Sequence, residues 1–113
     1  MRQFMKQLEN KRERFRGTVE RFGKKRCWYG DAPTILLTNI TRVISGNTIA
    51  DHLWFNETWR FHQANLAVGD TVEFTARVEA YMKGYRGYDI TRQIEQPLEV
   101  DYKLSRPTKI MKI

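Results

Sequence analysis

The sequence predicts a mainly all-β fold, with five strands and one short helix between the third and the fourth. Residues 71–82 alternate between apolar and polar side chains, which is the period of a strand that buries one face. Residues 34–44 and 48–55 are rich in β-branched and apolar side chains. Ser45-Gly46-Asn47 between them tolerates the positive φ of a tight turn, so the two segments predict a β-hairpin. The length of 113 residues fits one such domain.

The first elements follow in chain order. Residues 1–13 predict a basic N-terminal segment, helical or frayed, because apolar residues recur there at helical spacing. The domain proper is predicted over residues 14–113. A first strand from Phe15 ends at Gly23, where the alternation of period two stops. Residues 24–33 then predict a loop, because Gly, Asp and Pro punctuate them.

The second half of the chain is expected to contain the helix and two more strands. Residues 57–66 predict the short helix, with apolar residues at helical spacing after a polar capping position. Residues 83–97 predict a long loop rich in Gly, Tyr and Arg. Residues 98–113 predict the last strand, interrupted near Pro107, because proline cannot donate to a sheet ladder.

The net charge of +7 lies wholly in residues 1–26, while residues 27–113 contain equal numbers of basic and acidic side chains. This balance favours an anionic partner, nucleic acid before acidic lipid. No apolar run approaches the roughly 18 residues of a membrane span, so no membrane partner is expected. The single cysteine, Cys27, excludes an internal disulfide framework and fits a reducing, cytoplasmic location.

Two stretches resemble a known fold family. Residues 66–78 contain the run LxxGDxVxFxAxV, and Arg16-Gly17-Thr18-Val19 matches the xGxV opening of a first strand. Both resemble OB-fold (oligonucleotide/oligosaccharide-binding) proteins, and over residues 14–113 the chain is similar to their small single-domain nucleic-acid-binding type. The resemblance implies a five-stranded Greek-key barrel with a helix between strands three and four. It also implies binding through the face of strands two and three and through the loops that join strands 1–2 and 4–5.

The predicted loop between strands one and two joins three cations to two aromatic rings. Lys24, Lys25 and Arg26 precede Trp28 and Tyr29. Phosphates bind cations, and exposed bases stack on flat rings at roughly 1–3 kcal/mol per base. This composition therefore predicts a nucleic-acid contact. The structural alternative is a solvated basic loop whose Trp28 caps the barrel.

The predicted loop between strands four and five repeats this composition. Lys83 and Arg86 are interleaved with Tyr85 and Tyr88, and two glycines let the backbone bend. Tyrosine and arginine supply stacking, and both cations supply phosphate contacts. In a barrel of the implied topology the two loops flank one groove. The alternative is an ordinary connecting loop with Tyr81 or Tyr88 in the core.

Strand three supplies a third candidate. Ile49, Leu53 and Phe55 predict its core face, which places His52 and Trp54 on the outer face, where a ligand is expected to bind. Trp54 is itself apolar, and a register error of one residue reverses this assignment.

Two further groups are assigned to structure or left open. Trp59 and Phe61 are expected to pack the helix onto the barrel. Four basic residues recur at three-residue spacing in the last strand, and alternation divides them between its two faces. They fit a solubilising strand end or a further anion contact equally well. These residues are Lys103, Arg106, Lys109 and Lys112.

The chain contains no pattern typical of a catalytic site. His52 and His62 show no metal-ligand spacing, and no phosphate-binding glycine loop or dinucleotide fingerprint is present. We therefore expect a non-enzymatic protein without cofactor or metal.

The sequence predicts single-stranded nucleic acid as the partner, with DNA slightly favoured over RNA. The alternative is a protein-interaction module, an adaptor or inhibitor of the kind carried by a phage or mobile element, that contacts an acidic protein surface. Open barrel edges often pair, so a homo-oligomer is left open. The predicted binding residues are Lys24, Lys25, Arg26, Trp28, Tyr29, Trp54, Lys83, Tyr85, Arg86 and Tyr88.

Overall fold

The computed structural model describes residues 6–83 and 99–113, the side chains of Lys83 and Glu99 excepted, and its fold is mainly β. Five strands form one antiparallel sheet in the order β3-β2-β1-β4-β5, with one short helix between β3 and β4. The elements are β1 (Arg12–Cys27), β2 (Gly30–Arg42), β3 (Thr48–Asn56), α1 (Trp59–Gln63), β4 (Thr71–Lys83) and β5 (Glu99–Lys112). The predicted mainly β fold, with five strands and one short helix between the third and the fourth, is confirmed, and among the described residues β3 and β5 are the edges of the sheet.

The core lies on the face of the sheet that the alternating residues of β4 predict. Val72, Phe74, Ala76 and Val78 are fully buried, while the residues between them are partly exposed. Phe74 joins a chain of aromatic rings, with centroids 6.1 Å from Phe15 and 5.6 Å from Phe55, and Phe55 lies 5.8 Å from Phe61 of α1. These rings link three strands and the helix into one apolar cluster.

The predicted loop over residues 24–33 is wrong, because β1 continues to Cys27 and turns directly into β2. The pairs run without interruption from Gly23 opposite Thr34 to Cys27 opposite Gly30. Gly30, the first residue after the two turn residues, has φ +121°, a backbone conformation that glycine adopts without a steric penalty. The polar composition of this segment is typical of a loop. Its long charged side chains can nevertheless lie on a strand with both faces in water, and the hydrogen bonds between β1 and β2 continue through it.

The helix predicted over residues 1–13 does not form in the described part of that segment. Residues 6–8 make a single 3-10 turn, and β1 begins at Arg12. The Asn10 N–H donates to the Val78 carbonyl at 2.7 Å, and the Val78 N–H donates to the Lys11 carbonyl at 3.0 Å. Pairing with β4 therefore starts where the helical spacing of apolar residues ends.

The LxxGDxVxFxAxV run forms the turn that leads into β4. The Asp70 carboxylate accepts the Ala67 N–H at 2.8 Å and lies 3.2 Å from the Lys112 ammonium. Both contacts lower the pKa of Asp70 below its ordinary value, the backbone bond most strongly. Gly69, at φ +93°, donates its N–H to the Val19 carbonyl at 2.8 Å, which holds the turn against β1.

Much of the basic charge of the N-terminal quarter stabilises the sheet. Arg14 and Arg16 on β1 both bind Glu73 on β4, with N–O distances of 2.7 and 2.9 Å. Arg42 forms a bidentate pair with Glu13 at 2.8 Å for both bonds, which raises the pKa of Arg42. Glu73 is thus a paired carboxylate within the sheet, not part of an ordinary solvated face.

We expect the stability of the sheet to fall in acid because of Glu73. Hydrogen bonds from Arg14 and then Arg16 lower the pKa of Glu73 below its ordinary value of 4.5. A lowered folded-state pKa contributes stability that is complete above the unfolded-state pKa and is lost as the pH falls through the folded-state pKa. The free energy of unfolding, measured by urea titration between pH 6 and 3, is expected to fall less steeply with acid in Glu73→Gln than in the wild type. Parallel curves for the two proteins would contradict this role.

The last strand is irregular at two non-glycine residues with positive φ. Arg106 and Lys109 both have φ +51°, on either side of Thr108, and the register of β5 against β4 shifts twice in this region. Side chains of β1 hold the irregular part in place. Arg12 donates to the Thr108 hydroxyl at 2.8 Å, and Arg14 donates to the Lys109 carbonyl at 3.2 Å. The interruption predicted near Pro107 is therefore present as irregular pairing within a continuous strand.

Lys109→Gly is expected to stabilise the protein by about 0.5–1 kcal/mol. A left-handed conformation costs an L-residue roughly 1–2 kcal/mol, while the added chain entropy of glycine offsets part of the gain. The Arg14 contact is unaffected because it uses the Lys109 carbonyl. The matched control is Lys103→Gly in a regular part of the same strand, which is expected to destabilise by a similar amount. Thermal unfolding of both variants measures this, and a loss of stability in both would contradict the strain.

No helix among the described residues is long and apolar enough to cross a membrane.

Candidate nucleic-acid interface

The outer face of β2 and β3 carries the tryptophan that the alternation of β3 predicts. Ile49, Leu53 and Phe55 are buried, and the Trp54 side chain on the opposite face is 49% exposed. His52 is also exposed on this side. The predicted faces of these five residues are confirmed, while Ala50 is buried and Asp51 is exposed, so the alternation is not continuous along β3.

Trp54 lies across the sheet towards β1. It pairs with Leu36 on β2, which pairs in turn with Arg21 on β1, so the three residues form one rung on the outer face. The Arg21 guanidinium lies 5.5 Å from the centroid of the indole ring. A Cβ added to Gly23 would lie 3.3 Å from two carbons of this ring, so the absence of a side chain at Gly23 leaves room for the indole ring.

Two adjoining cavities form a groove beside this ring, which we call the edge groove. One cavity, of about 330 Å³, lies over Gly23, Thr34 and Trp54. The other, of about 390 Å³, extends from Trp54 to residues 103–107 of β5. Both are lined by Lys25, Trp54, Phe55 and Asn56. The groove therefore passes from the outer face of β1–β3 to the opposite edge of the sheet.

The edge groove is basic. Lys25 lies on one side, Lys103 and Arg106 lie on the other, and Arg21 adds a charge beside the indole ring. The described residues that line the two cavities include no acidic side chain. Lys103 also lies 5.6 Å from the ring centroid of Tyr81 on β4. Cations and an open aromatic ring in one groove can bind phosphates and stack a base at the same time.

The sequence reasoning missed several of these residues. Arg21, Gly23 and Lys25 lie on one face of β1 because they are two positions apart. The sequence predicts a loop after Gly23, so this shared face is not apparent from the sequence alone. Lys103 and Arg106 line the same cavity, where β5 becomes irregular and Arg106 adopts a left-handed conformation. Their spacing in sequence predicts opposite faces of a regular strand, so no local signal identifies them as one group.

The cationic cluster predicted at residues 24–26 is divided between the two faces of the β1–β2 hairpin. Lys25 follows Gly23 by two positions and lines the edge groove. Lys24 also lines the cavity over Gly23 and Trp54, whereas Arg26, which alternates with Lys25, lies on the other face. All three side chains are exposed. A ligand in the edge groove therefore meets Lys24 and Lys25 but not Arg26.

Trp28 and Tyr29 form the tip of this hairpin. Trp28 is 96% exposed and Tyr29 is 66% exposed, so Trp28 does not cap the core. The two rings contact each other edge to face, with centroids 5.3 Å apart. A hydrogen bond with the Cys27 side chain raises the pKa of Tyr29. Trp28 follows Gly23 by five positions, which is about 16 Å along a strand, so the tip lies away from Trp54.

The second predicted binding loop falls mostly outside the described residues. Tyr85, Arg86 and Tyr88 lie there, and Lys83 is described through its backbone alone, as the last residue of β4. These four predictions stay predictions.

The helix contributes to the core and to the surface. It is shorter than predicted, and Phe61 is buried as expected. Trp59 is 61% exposed and contacts the Arg60 guanidinium at 4.6 Å, so its predicted packing against the sheet is wrong. In a helix of five residues only one position in about four faces the sheet, and Phe61 occupies it.

Within the described parts of the chain, no three His, Cys, Asp or Glu side chains lie close enough to hold a metal ion. No protein-family model matches this chain, and comparisons with curated proteins and with solved structures found no match.

Proposed function

We propose that this protein binds single-stranded nucleic acid in the edge groove and has no enzymatic activity. The observation that carries the proposal is the half-exposed Trp54 ring on the floor of a groove whose cations have no acidic neighbour in its lining. The ring offers a stacking surface for one base. Lys25, Lys103 and Arg106 lie along the groove and would neutralise the phosphates on either side of that base.

A single strand suits this groove better than a duplex. Bases in a duplex stack on each other, so an indole ring on a sheet surface has no free base to contact. A single strand exposes its bases, and its flexible backbone can follow cations that are unevenly spaced. We propose single-stranded DNA as the preferred ligand and treat RNA as the comparison in the experiment.

The order of strands and helix along the chain supports assignment to the OB-fold. A five-stranded barrel with a helix between strands three and four has the order of elements found in this chain. The edges β3 and β5 approach each other at the edge groove, where both line one cavity. We propose that the sheet is a partly open Greek-key barrel of this type.

The salt dependence of binding tests the proposal. Five cations, Arg21, Lys24, Lys25, Lys103 and Arg106, border the groove. Each phosphate neutralised on a single strand contributes about 0.7 to the slope of log K against log salt, so a slope of about −3.5 is expected. Fluorescence anisotropy with a labelled mixed-sequence 12-mer of DNA, and with its RNA equivalent, measures it. Affinity that does not change with salt, or no affinity for either strand, would contradict the proposal.

One observation favours the alternative, a contact with another protein. Val43 and Ile44 are exposed next to a cavity of about 400 Å³ that Glu13 and Arg14 also line. Exposed apolar groups are typical of protein contacts. Capture of one defined protein from a nuclease-treated lysate, lost in Ile44→Ser and retained in Trp54→Ala, would support this function instead.

A further inference from the structure

The β1–β2 hairpin extends beyond the rest of the sheet as a two-stranded arm. Among the described residues, β3 pairs with β2 only from Thr34 onward, and β4 pairs with β1 only from Arg12 to Thr18. Within the described strands, residues 24–33 therefore pair only with each other. The base of the arm is fixed, because the Glu57 N–H donates to the Pro33 carbonyl at 3.0 Å.

The arm carries features that the edge groove does not use. Arg26 alternates with Lys25 and lies on the face away from Trp54, and Trp28 at the tip is almost fully exposed. A strand bound at Trp54 meets Lys24 and Lys25 and leaves Arg26 and the tip in solvent. Cations on both faces of a narrow ribbon suit a ligand that presents phosphates on two sides.

We propose that the arm enters the major groove of duplex DNA, and that the preferred ligand of the protein is a junction between duplex and single-stranded DNA. This inference rests on the proposed function, since the single-stranded part of the junction would occupy the edge groove. The arm would recognise the duplex part through its two phosphate backbones, which lie about one ribbon thickness apart on either side of the arm.

The dimensions of the arm fit the major groove. That groove is about 12 Å wide and admits a two-stranded ribbon, whereas the minor groove is only about 6 Å wide. Its depth of about 8.5 Å corresponds to two or three residues of a strand. With Trp28 against the base edges, Arg26 and Lys25 lie near the rim, where the two phosphate backbones run on opposite sides of the ribbon.

The same dimensions predict selectivity against duplex RNA. The major groove of A-form RNA is deep and too narrow for side chains to read. An arm that needs a groove about 12 Å wide is therefore expected to bind duplex DNA and not duplex RNA. A flexible basic segment that binds by charge alone would not distinguish the two.

The experiment compares four labelled ligands by fluorescence anisotropy: a 12-mer single strand, a 15-base-pair DNA duplex, the same duplex in RNA, and the DNA duplex with the 12-mer as overhang. Linking two contacts makes the second intramolecular. The wild type is expected to bind the junction at least tenfold more tightly than the single strand or the DNA duplex. It is expected to bind the RNA duplex at least tenfold more weakly than the DNA duplex.

The variant Arg26→Gln separates the arm from the groove, because Arg26 is not among the residues that line the groove. A lost duplex phosphate contact lowers the salt slope by about 0.9, so the slope on the duplex and junction is expected to become about 0.9 less steep. Binding to the single strand is expected to stay unchanged. The matched control, Lys11→Gln, removes the same charge from an exposed position outside the arm and is expected to change none of these values.

The outcomes distinguish the two proposals. Junction binding no tighter than single-strand binding, equal binding of both duplexes, or an equal loss on all ligands in the arm variant would overturn the arm contact. No binding to the single strand, together with duplex binding that depends on Arg26, would overturn the proposed function and retain the arm contact. Circular dichroism spectra and thermal midpoints equal to those of the wild type confirm that each variant is folded.

Discussion

Trp54→Ala is expected to weaken the binding of single-stranded DNA by about 5- to 150-fold. Base stacking on an aromatic side chain contributes roughly 1–3 kcal/mol, and each 1.4 kcal/mol corresponds to a tenfold change in Kd. Trp54 is the exposed ring that lies on the outer face of the sheet between cations of β1 and β5. Anisotropy titration with the 12-mer at 50 mM salt gives the change in Kd directly.

Two matched variants make this result specific. Trp59→Ala removes an exposed tryptophan that also contacts an arginine, and it is expected to leave Kd unchanged because Trp59 lies on α1, outside the edge groove. Trp54→Phe keeps a smaller ring at the same place and is expected to lose less affinity than Trp54→Ala. Equal losses of affinity in Trp59→Ala and Trp54→Ala, or no loss of affinity in either variant, would contradict the stacking role of Trp54.

Phe74→Ala is expected to lower the free energy of unfolding by about 3–5 kcal/mol, the range found when a buried phenylalanine is truncated. Its side chain is fully buried, and its ring contacts Phe15 and Phe55 at the centre of the aromatic chain. Domains are stable by only about 5–15 kcal/mol, so this one change removes a large part of the total. Urea unfolding followed by circular dichroism measures it.

Phe22→Ala provides the comparison within the same sheet. Phe22 is on β1 and its side chain is 41% exposed, so its truncation leaves a smaller cavity and is expected to cost clearly less than Phe74→Ala. A similar loss in both variants would mean that the apolar cluster is not centred on Phe74. Phe22 also lies outside the edge groove, so its variant is expected to bind the 12-mer normally if it is folded.

Regular alternation is the part of the fold that the sequence predicts best. Every second residue is buried from Val72 to Val78 on β4 and from Leu53 to Phe55 on β3, and this pattern identifies both the core face and the outer position of Trp54 before any contact is known. The aromatic run at positions 28 and 29 also predicts exposed rings correctly. These features are local, so the residue types and their period are sufficient to predict them.

Features that depend on distant partners are not predictable in this way. The strand at Lys24 to Arg26 persists because each residue pairs with the returning chain, although its composition is typical of a loop. Arg14 and Arg16 appear as free charge in the sequence, yet Glu73, almost 60 residues away, binds both. Lys103 and Arg106 line one cavity where β5 becomes irregular, at a left-handed residue that no local pattern indicates.

The central claim is that a single strand stacks on Trp54, and the indole N–H signals of the three tryptophans test it most directly. The protein is labelled with ¹⁵N-tryptophan, each signal is assigned from a single Trp→Phe variant, and the 12-mer is titrated in. The Trp54 signal is expected to shift progressively to saturation, while the Trp59 signal stays in place as an internal reference. Shifts confined to Trp28 or Trp59, with the Trp54 signal unchanged at saturating strand, would contradict the account.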